Sequence, residues 1–412
     1  MIDLALLRKD KNYIVELSKR KDPSFDIEKL AQLDEEVRRL RLISENLRHE
    51  KNEIVEQSKL SRTDESIAKS RKISQDLKHV EDDLKIIEAQ FEDLYLRCPN
   101  IIEKELPVGG KESNFEIKNW GSQPNFNFPL LNHLELGKLN NWFDFEAAAA
   151  MTGSQFALYK GDAVKLVYAL MMYMFNNNVN HGFYPILPPY LVNEKALTIA
   201  SNFPRFKEEV YAVEKDGLYL TPTSEVNLTN LYQNRILEAE QLPIRMTSWT
   251  SCFRREAGGY GAAERGLIRL HQFEKCELYT ICEPEKYKEE QDLMLSCAEN
   301  ILQSLGLHYR IMLLAAQDCS FASAKTYDIE VWLPAQGIYK EISSISNCTD
   351  FQSRRALIRY KDSVNSKSRL VYTLNGSSLA LPRLLVAIME TYQQEGGKIE
   401  LPEVLKTIKI NL

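Results

Sequence analysis

Two stretches decide how this chain reads. One is Thr250-Ser251-Cys252-Phe253-Arg254-Arg255-Glu256-Ala257-Gly258; the other is Thr373-Leu374-Asn375-Gly376-Ser377-Ser378-Leu379-Ala380-Leu381-Pro382-Arg383. The first carries Arg254 at the end of a strand-like run. The second delivers Arg383 to the start of an apolar helical run, where Pro382 is well placed. A lone arginine is usually a surface ion-pair partner. Two in such frames, about 130 residues apart, with His271-Gln272-Phe273-Glu274-Lys275-Cys276-Glu277 and Glu341-Ile342-Ser343-Ser344 between them, point elsewhere. Arginine holds its charge at any physiological pH, and its planar fork matches phosphate oxygens. Two permanent cations, an aromatic ring and several carboxylates suit a nucleoside triphosphate with a divalent metal.

Outward from these stretches, strand-like runs follow at Leu218–Leu220, Ile268–Leu270, Cys276–Ile281, Tyr309–Leu314, Ile329–Leu333, Ile338–Ile342 and Leu370–Leu374. Gly182–Tyr190 reads as a strand ending in prolines. Helical runs are expected from Ala163 to about Asn176, and at Glu225–Gln233, Tyr287–Leu305 and Arg383–Glu395. Many strands with few intervening helices predict a largely antiparallel sheet in an α+β domain. The sequence contains no Walker P-loop and no GxGxxG, so the parallel nucleotide-binding folds lack support.

Residues 27–97 contain no glycine or proline. Leu30, Leu33, Val37, Leu40, Leu47 and Ile54, then Ile67, Ile73, Leu77, Val80, Leu84, Ile87, Phe91 and Leu94, recur in steps of three and four, a coiled-coil stripe. The pattern loosens at Ser61-Arg62-Thr63-Asp64-Glu65-Ser66. Two antiparallel helices joined by that turn are expected, each roughly 50 Å long; one continuous dimerising helix is the alternative. Arg38, Arg39, Arg41, Arg48, Lys51, Lys59, Arg62, Lys69, Arg71 and Lys72 outnumber Glu45, Glu50, Glu53, Glu56, Asp64 and Glu65 in the distal half, ten against six. A basic end on a long lever suits RNA, although solvated helix faces carry such charges too. The expected organisation is an N-terminal domain over 1–100, a linker over 101–125 punctuated by Pro107, Gly109-Gly110, Gly121 and Pro124, and a second domain over 126–412.

A chain of 412 residues is too long for one core. Its net charge of -6 means that a nucleic-acid partner needs a local basic patch. The seven cysteines form no CxxC pair, which argues for reduced thiols and against a zinc knuckle; no zinc is expected. No basic-then-apolar leader opens the sequence, and no apolar run reaches the roughly 20 residues that span a bilayer, so a soluble cytoplasmic protein with no membrane partner is expected.

The order and wording of these strings resemble the class II aminoacyl-tRNA synthetases, and within them the seryl-tRNA synthetases, over nearly the whole chain. The nearest stretches are 249–277, 318–360 and 371–396. Phe253-Arg254-x-Glu256 resembles the second class II motif, and Gly376 through Arg383 the third. The resemblance implies that Arg254 holds the α-phosphate and Arg383 the γ-phosphate of ATP, both acting in catalysis. Glu256 accepts from the adenine amino group and Phe273 stacks on the ring. Arg255, Leu270, Ile342 and Ser343 complete the ATP site, and Glu341 and Ser344 hold Mg²⁺. For L-serine it implies Thr223, Ser224, Glu225, Arg254, Glu277, Asn375 and Ser377, with the substrate carboxylate on Arg254 and the hydroxyl chiefly on Glu277. Thr223 and Glu225 taken alone serve equally as a helix N-cap and first-turn acid. The implied partners are tRNA(Ser), and also tRNA(Sec), bound through the helical arm. A homodimer through the Pro188-Pro189 strand and its preceding helix is implied as well. The arm argues against carrier ligases, and Arg254, Glu341 and Arg383 argue against an inactive paralogue. The chain departs from the family where Ile199-Ala200-Ser201-Asn202, Ser378 and Pro382 replace residues that are usually glycine.

Overall fold

The computed structural model describes residues 1–60, 63–256, 265–362 and 365–406. Two compact units divide the chain, Met1–Pro99 and Asn100–Leu412. In the first, Asp3 and Asp10 cap two short helices, α1 (Leu4–Lys9) and α2 (Lys11–Lys21), their carboxylates accepting from first-turn amides. Two long helices follow, α3 (Ile27–Leu60) and α4 (Asp64–Leu96). Ion pairs run Arg41–Glu88, Arg48–Glu81 and Glu50–Lys69, the numbers rising on α3 as they fall on α4, so the helices are antiparallel. The chain folds back on itself, which removes the single-helix alternative. Leu30, Leu33, Val37, Leu40 and Ile54 from α3, and Ile73 and Leu77 from α4, form the buried seam. Thr63 starts α4 with a capping box to Ser66. Ser61 and Arg62 of the expected turn, and the side chain of Lys59, lie outside the described residues.

The second unit is built on eight strands: β1 (Phe115–Trp120), β2 (Tyr184–Ile186), β3 (Ile244–Phe253), β4 (Gln272–Cys282), β5 (Tyr309–Leu313), β6 (Lys325–Leu333), β7 (Ile338–Asn347) and β8 (Tyr372–Ala380). They lie in the order β1-β5-β6-β7-β8-β4-β3-β2. Every neighbour is antiparallel except β2 beside β3 at the edge. Helices α5 (Asp162–Asn180), α6 (Ser224–Asn230), α7 (Tyr287–Ser304), α8 (Phe351–Ala356) and α9 (Leu381–Thr391) flank the sheet. Strand β4 shows how the two faces divide. Cys276 and Leu278 enter the core beneath α5, α7 and α9, while Tyr279 and Ile281 pack in a second cluster with Leu228 of α6 and Ala356 of α8. Phe273, Lys275 and Glu277 share the face of Tyr279, because side chains alternate along a strand.

Several expected boundaries shift. Ile268–Leu270 is not a strand: Gly266, at φ +66°, bends the chain into a 3-10 turn over Gly266–Ile268. The apolar run Leu370–Leu374 breaks at Val371, and the strand beyond it continues through Asn375, Ser377 and Ser378. Strand β2 stops at Ile186, so Pro188 and Pro189 lie outside it. Within the segment expected as a linker, Phe115–Trp120 forms the outermost strand of the sheet. No helix among the described residues is long and apolar enough to cross a membrane.

Candidate active site

A cavity of about 380 Å³ opens on the Phe273 face of the sheet. Two bulges bring its walls together. Between β6 and β7, Ser343 pairs with Ile329 and Glu341 with Glu330, leaving Ile342 as the extra residue. Such a bulge lets consecutive side chains share one side, and Glu341, Ile342, Ser344 and Ser346 all line the cavity. Between β8 and β4, Ser377 pairs with Glu277 and Leu379 with Cys276, leaving Ser378 extra. The phase change turns Asn375, Ser377 and Ala380 into the cavity while Leu379 enters the core. Ser378, one of the departures noted in the sequence, is fully buried, and its hydroxyl donates to Asn178 Oδ1 at 2.9 Å.

Both expected arginines line the cavity. Arg254 follows the last residue of β3. Its backbone exchanges two hydrogen bonds with His271: its N–H donates to the His271 carbonyl at 2.9 Å, and its carbonyl accepts from His271 Nδ1 at 3.1 Å. His271 is therefore structural, and its Nδ1 carries the proton. The Arg254 guanidinium donates to the Pro222 carbonyl at 3.2 Å and lies 5.3 Å from the Phe273 ring centroid. Arg383 stands one residue after Pro382 in the first turn of α9. Its Nη1 donates to the Glu341 carbonyl at 2.8 Å and its Nε to the Ile268 carbonyl at 3.4 Å, with the Glu341 carboxylate 3.5 Å away. These bonds occupy only part of a five-donor group.

Glu341 keeps nearly half of its side-chain surface exposed. The Ser344 hydroxyl hydrogen-bonds Asp328, its cross-strand partner on β6. Asp328 Oδ1 is buried without a hydrogen-bond partner among the described residues. Burial, and then the charge of Glu341, push the Asp328 carboxyl well above the ordinary carboxylate range. This oxygen cluster is short of positive charge, and a hard cation carrying waters and substrate phosphates suits it. Among the described residues no group of three His, Cys, Asp or Glu has metal-holding geometry by itself. Asp328 is not among the expected site residues; its place here comes from its cross-strand pairing with Ser344.

At the other end, Glu225 sits in the first turn of α6 behind its N-cap Thr223. Thr223 Oγ1 donates to Glu277 Oε2 at 2.9 Å and accepts from Lys275 Nζ at 3.0 Å. Lys275 Nζ also lies 2.5 Å from Glu277. Glu225 Oε1 accepts from Gln352 at 2.6 Å and from Asn375 at 3.0 Å. Burial first, and then the neighbouring Glu277, push the Glu225 carboxyl up to about 7. The N-cap and the site assignment of this pair are thus compatible, as one hydroxyl serves both the helix and Glu277.

Of the expected site residues, Arg254, Arg383, Glu225, Glu256, Leu270, Phe273, Glu341, Ile342, Ser344, Asn375 and Ser377 line the cavity. The other five do not. Thr223, Ser224 and Glu277 are buried, and Thr223 and Glu277 contact Lys275, which itself reaches the cavity wall. Ser343 lies on the opposite side of β7 and donates to the Ser377 carbonyl. Arg255, one residue past Arg254, lies over the Tyr211 ring, 5.4 Å from its centroid. Lys275 and Arg269 were missed, and Arg269 pairs with Glu256 at 2.6 Å. Ala257 and Gly258 of the first stretch lie outside the described residues.

An antiparallel sheet that brings a strand-end arginine and a helix-start arginine over one cavity is the core of a class II aminoacyl-tRNA synthetase. The family model for the tRNA synthetase class II core domain (G, H, P, S and T) matches residues 206–392, and the model for the seryl-tRNA synthetase N-terminal domain matches residues 1–102. Serine--tRNA ligase of Hydrogenobaculum sp. (strain Y04AAS1) is 44% identical over 98% of both chains. That of Leptospira biflexa (strain Patoc 1 / Ames) is 42% identical over 98% of this chain and 99% of its own. The crystal structure of seryl-tRNA synthetase from Pyrococcus horikoshii, complexed with ATP, superposes with a TM-score of 0.93 at 31% identity, covering 99% of this chain and 98% of that one. The chain belongs to the seryl-tRNA synthetase family.

Proposed function

We propose that this enzyme activates L-serine with ATP, forming seryl-adenylate and pyrophosphate, and passes the seryl group to the 3′ end of tRNA(Ser) and of tRNA(Sec). The observation that carries the reading is one cavity lined by Arg254, Arg383, Glu341 and Phe273 on one side and by Glu225, Asn375 and Ser377 on the other. A triphosphate and an amino acid placed there would meet at the α-phosphorus, beside Arg254.

In this reading Arg254 grips the α-phosphate and the serine carboxylate, and Arg383 the γ-phosphate. Phe273 stacks on adenine, with Glu256 and Arg269 beside it and Leu270 and Ile342 as walls. The substrate carboxylate is already ionised and attacks the α-phosphorus in line, expelling pyrophosphate, so no general base is needed. The protein supplies position and charge. Mg²⁺, when bound, neutralises phosphate charge, and Glu341 and Ser344 would hold it, with Asp328 behind. Glu225 receives the substrate ammonium. Ser343 holds the Ser377 carbonyl, Arg255 packs on Tyr211 and Ser224 is buried at the start of α6, so none of the three is assigned a substrate contact. Residues 1–100 would form the RNA-binding domain and 126–412 the catalytic one. Exposed Tyr168, Met172, Tyr184 and Leu187, on α5 and just beyond it, support a homodimer through this face. A cytoplasmic location fits the reaction.

Glu277 is assigned the serine hydroxyl, reached past Lys275. Its Oε1 is buried without a hydrogen-bond partner among the described residues, an acceptor that expects a donor. Alanine would leave it unpaired, and sites built for a hydroxyl reject the analogue lacking it by about 10⁴-fold. Glu277→Ala should therefore depress serine activation and narrow the serine-to-alanine ratio of kcat/KM in pyrophosphate exchange. A mutant that loses activity but keeps the full ratio removes this assignment.

A further inference from the structure

Gln352, on α8, is fully buried, and among the described residues the one candidate-site residue it hydrogen-bonds is Glu225. Its Nε2 donates to Glu225 Oε1 at 2.6 Å and to the Ala200 carbonyl at 3.4 Å. Its Oε1 accepts from Tyr279 Oη at 3.2 Å and from Thr373 Oγ1 at 2.8 Å. Two donors and two acceptor lone pairs are the whole capacity of an amide, so every position is used. The orientation is fixed as well, since a flipped amide would set its oxygen against a carboxylate and a carbonyl. Asn375 donates to the same Glu225 oxygen, and no hydrogen bond among the described residues takes Oε2.

We propose that Gln352 is a positioning residue for the amino-acid substrate: together with Asn375 it holds one oxygen of Glu225 and leaves the other presented to the substrate ammonium. This rests on the reading of Glu225 given above. The same amide ties the carboxylate to the loop before Phe203, where Ser201 adopts φ +77°. Sequence reading marked that loop for its missing glycines without connecting it to the chemistry. Charged groups face Glu225 from two elements: Glu277 and Lys275 from β4, and Arg254 from the end of β3. Glu277 disfavours ionisation, whereas Lys275, the Gln352 hydrogen bond and Arg254 favour it. A buried amide that merely packs would affect stability alone. A positioning amide also affects serine recognition and its pH dependence.

The experiment is pyrophosphate exchange by full-length protein at pH 6 to 9, with serine and ATP varied separately and Tm measured in parallel. Gln352→Met keeps volume and removes the donor. Losing a hydrogen bond to a charged group should raise KM for serine about tenfold or more. The acid limb of kcat/KM for serine should move to higher pH, and KM for ATP should stay within about twofold. Tyr279→Phe, a conservative change that frees one side of the Gln352 oxygen, should move serine KM in the same direction by about two- to threefold, and it decides the matter if Gln352→Met does not fold. A fall in Tm with serine KM and the acid limb unmoved overturns the proposal. Glu225→Gln separates the two claims. If it leaves serine KM unchanged, the role of Glu225 itself fails. If it raises serine KM while the Gln352 and Tyr279 variants do not, the positioning role alone fails.

Discussion

The arm and the cavity both set arginines or lysines beside carboxylates, yet the pairs differ in kind. On the arm, Arg41–Glu88 and Arg48–Glu81 join side chains of which the arginines are 60% exposed. Such pairs contribute about 0.2–1 kcal/mol each and are screened by salt, so an RNA phosphate can displace the glutamate at little cost. In the site, Lys275 and Glu277 keep 9% and 1% of their side-chain surface. Their charges are desolvated and fixed by Thr223, and removing one strands the other. Exchangeable charges suit a large, variable partner; fixed charges suit a small substrate whose atoms must be placed. The division predicts that each region can be damaged without the other.

The largest expected effect is the separation itself. Replacing residues 35–90 by a short turn should leave serine-dependent pyrophosphate exchange intact and reduce tRNA charging by about 10³-fold or more, as loss of several phosphate contacts does. Charging at the wild-type rate would remove the arm from RNA binding. Next in size, Arg383→Ala should slow exchange by roughly 2–4 kcal/mol, the cost of one well-placed charge-stabilising contact, with Tm little changed. An unchanged rate with a large fall in Tm would make Arg383 structural.

A smaller effect sharpens the contrast through pH. Glu36 on the arm is held below the usual carboxylate range by its hydrogen bond to Arg39, whereas burial, and then Glu277, lift Glu225 to about 7. Protonated Glu225 is neutral and no longer attracts the substrate ammonium. kcat/KM for serine should therefore fall about tenfold per unit as pH drops below 7, reporting the free enzyme. A flat profile from pH 6 to 8 would contradict the role of Glu225. The smallest effect concerns Ser201, at φ +77° with a buried hydroxyl that has no hydrogen-bond partner among the described residues. Relieving a left-handed non-glycine residue gains roughly 1–2 kcal/mol, and glycine's unfolded-state entropy takes back about 0.5–1. Ser201→Gly should raise Tm slightly; a lower Tm would mean that the loop is not strained.

How far the sequence could be read follows the same division. The arm was legible because its stripe of Leu30, Leu33, Val37 and Leu40 is a local, helical period, and the closing of the hairpin needed only a polar break near Thr63. Arg254 and Arg383 were legible from the strings around them. Lys275, Asp328, Arg269 and Gln352 were not, since their partners lie on other strands and helices and the register between those elements is absent from any single stretch. The bulges at Ile342 and Ser378 decide which side chains reach the cavity, and no local pattern announces them. Ile268–Leu270 resembles a strand because Ile268 and Leu270 alternate with Arg269, while Gly266, two residues earlier, controls the backbone.

ATP–pyrophosphate exchange by the intact protein, with each of the twenty amino acids in turn, tests whether this cavity activates serine. Exchange that depends on serine, with alanine and threonine lower by orders of magnitude, is the predicted result. Exchange with a different amino acid, or none with any, would mean that the cavity is not a serine-activating site.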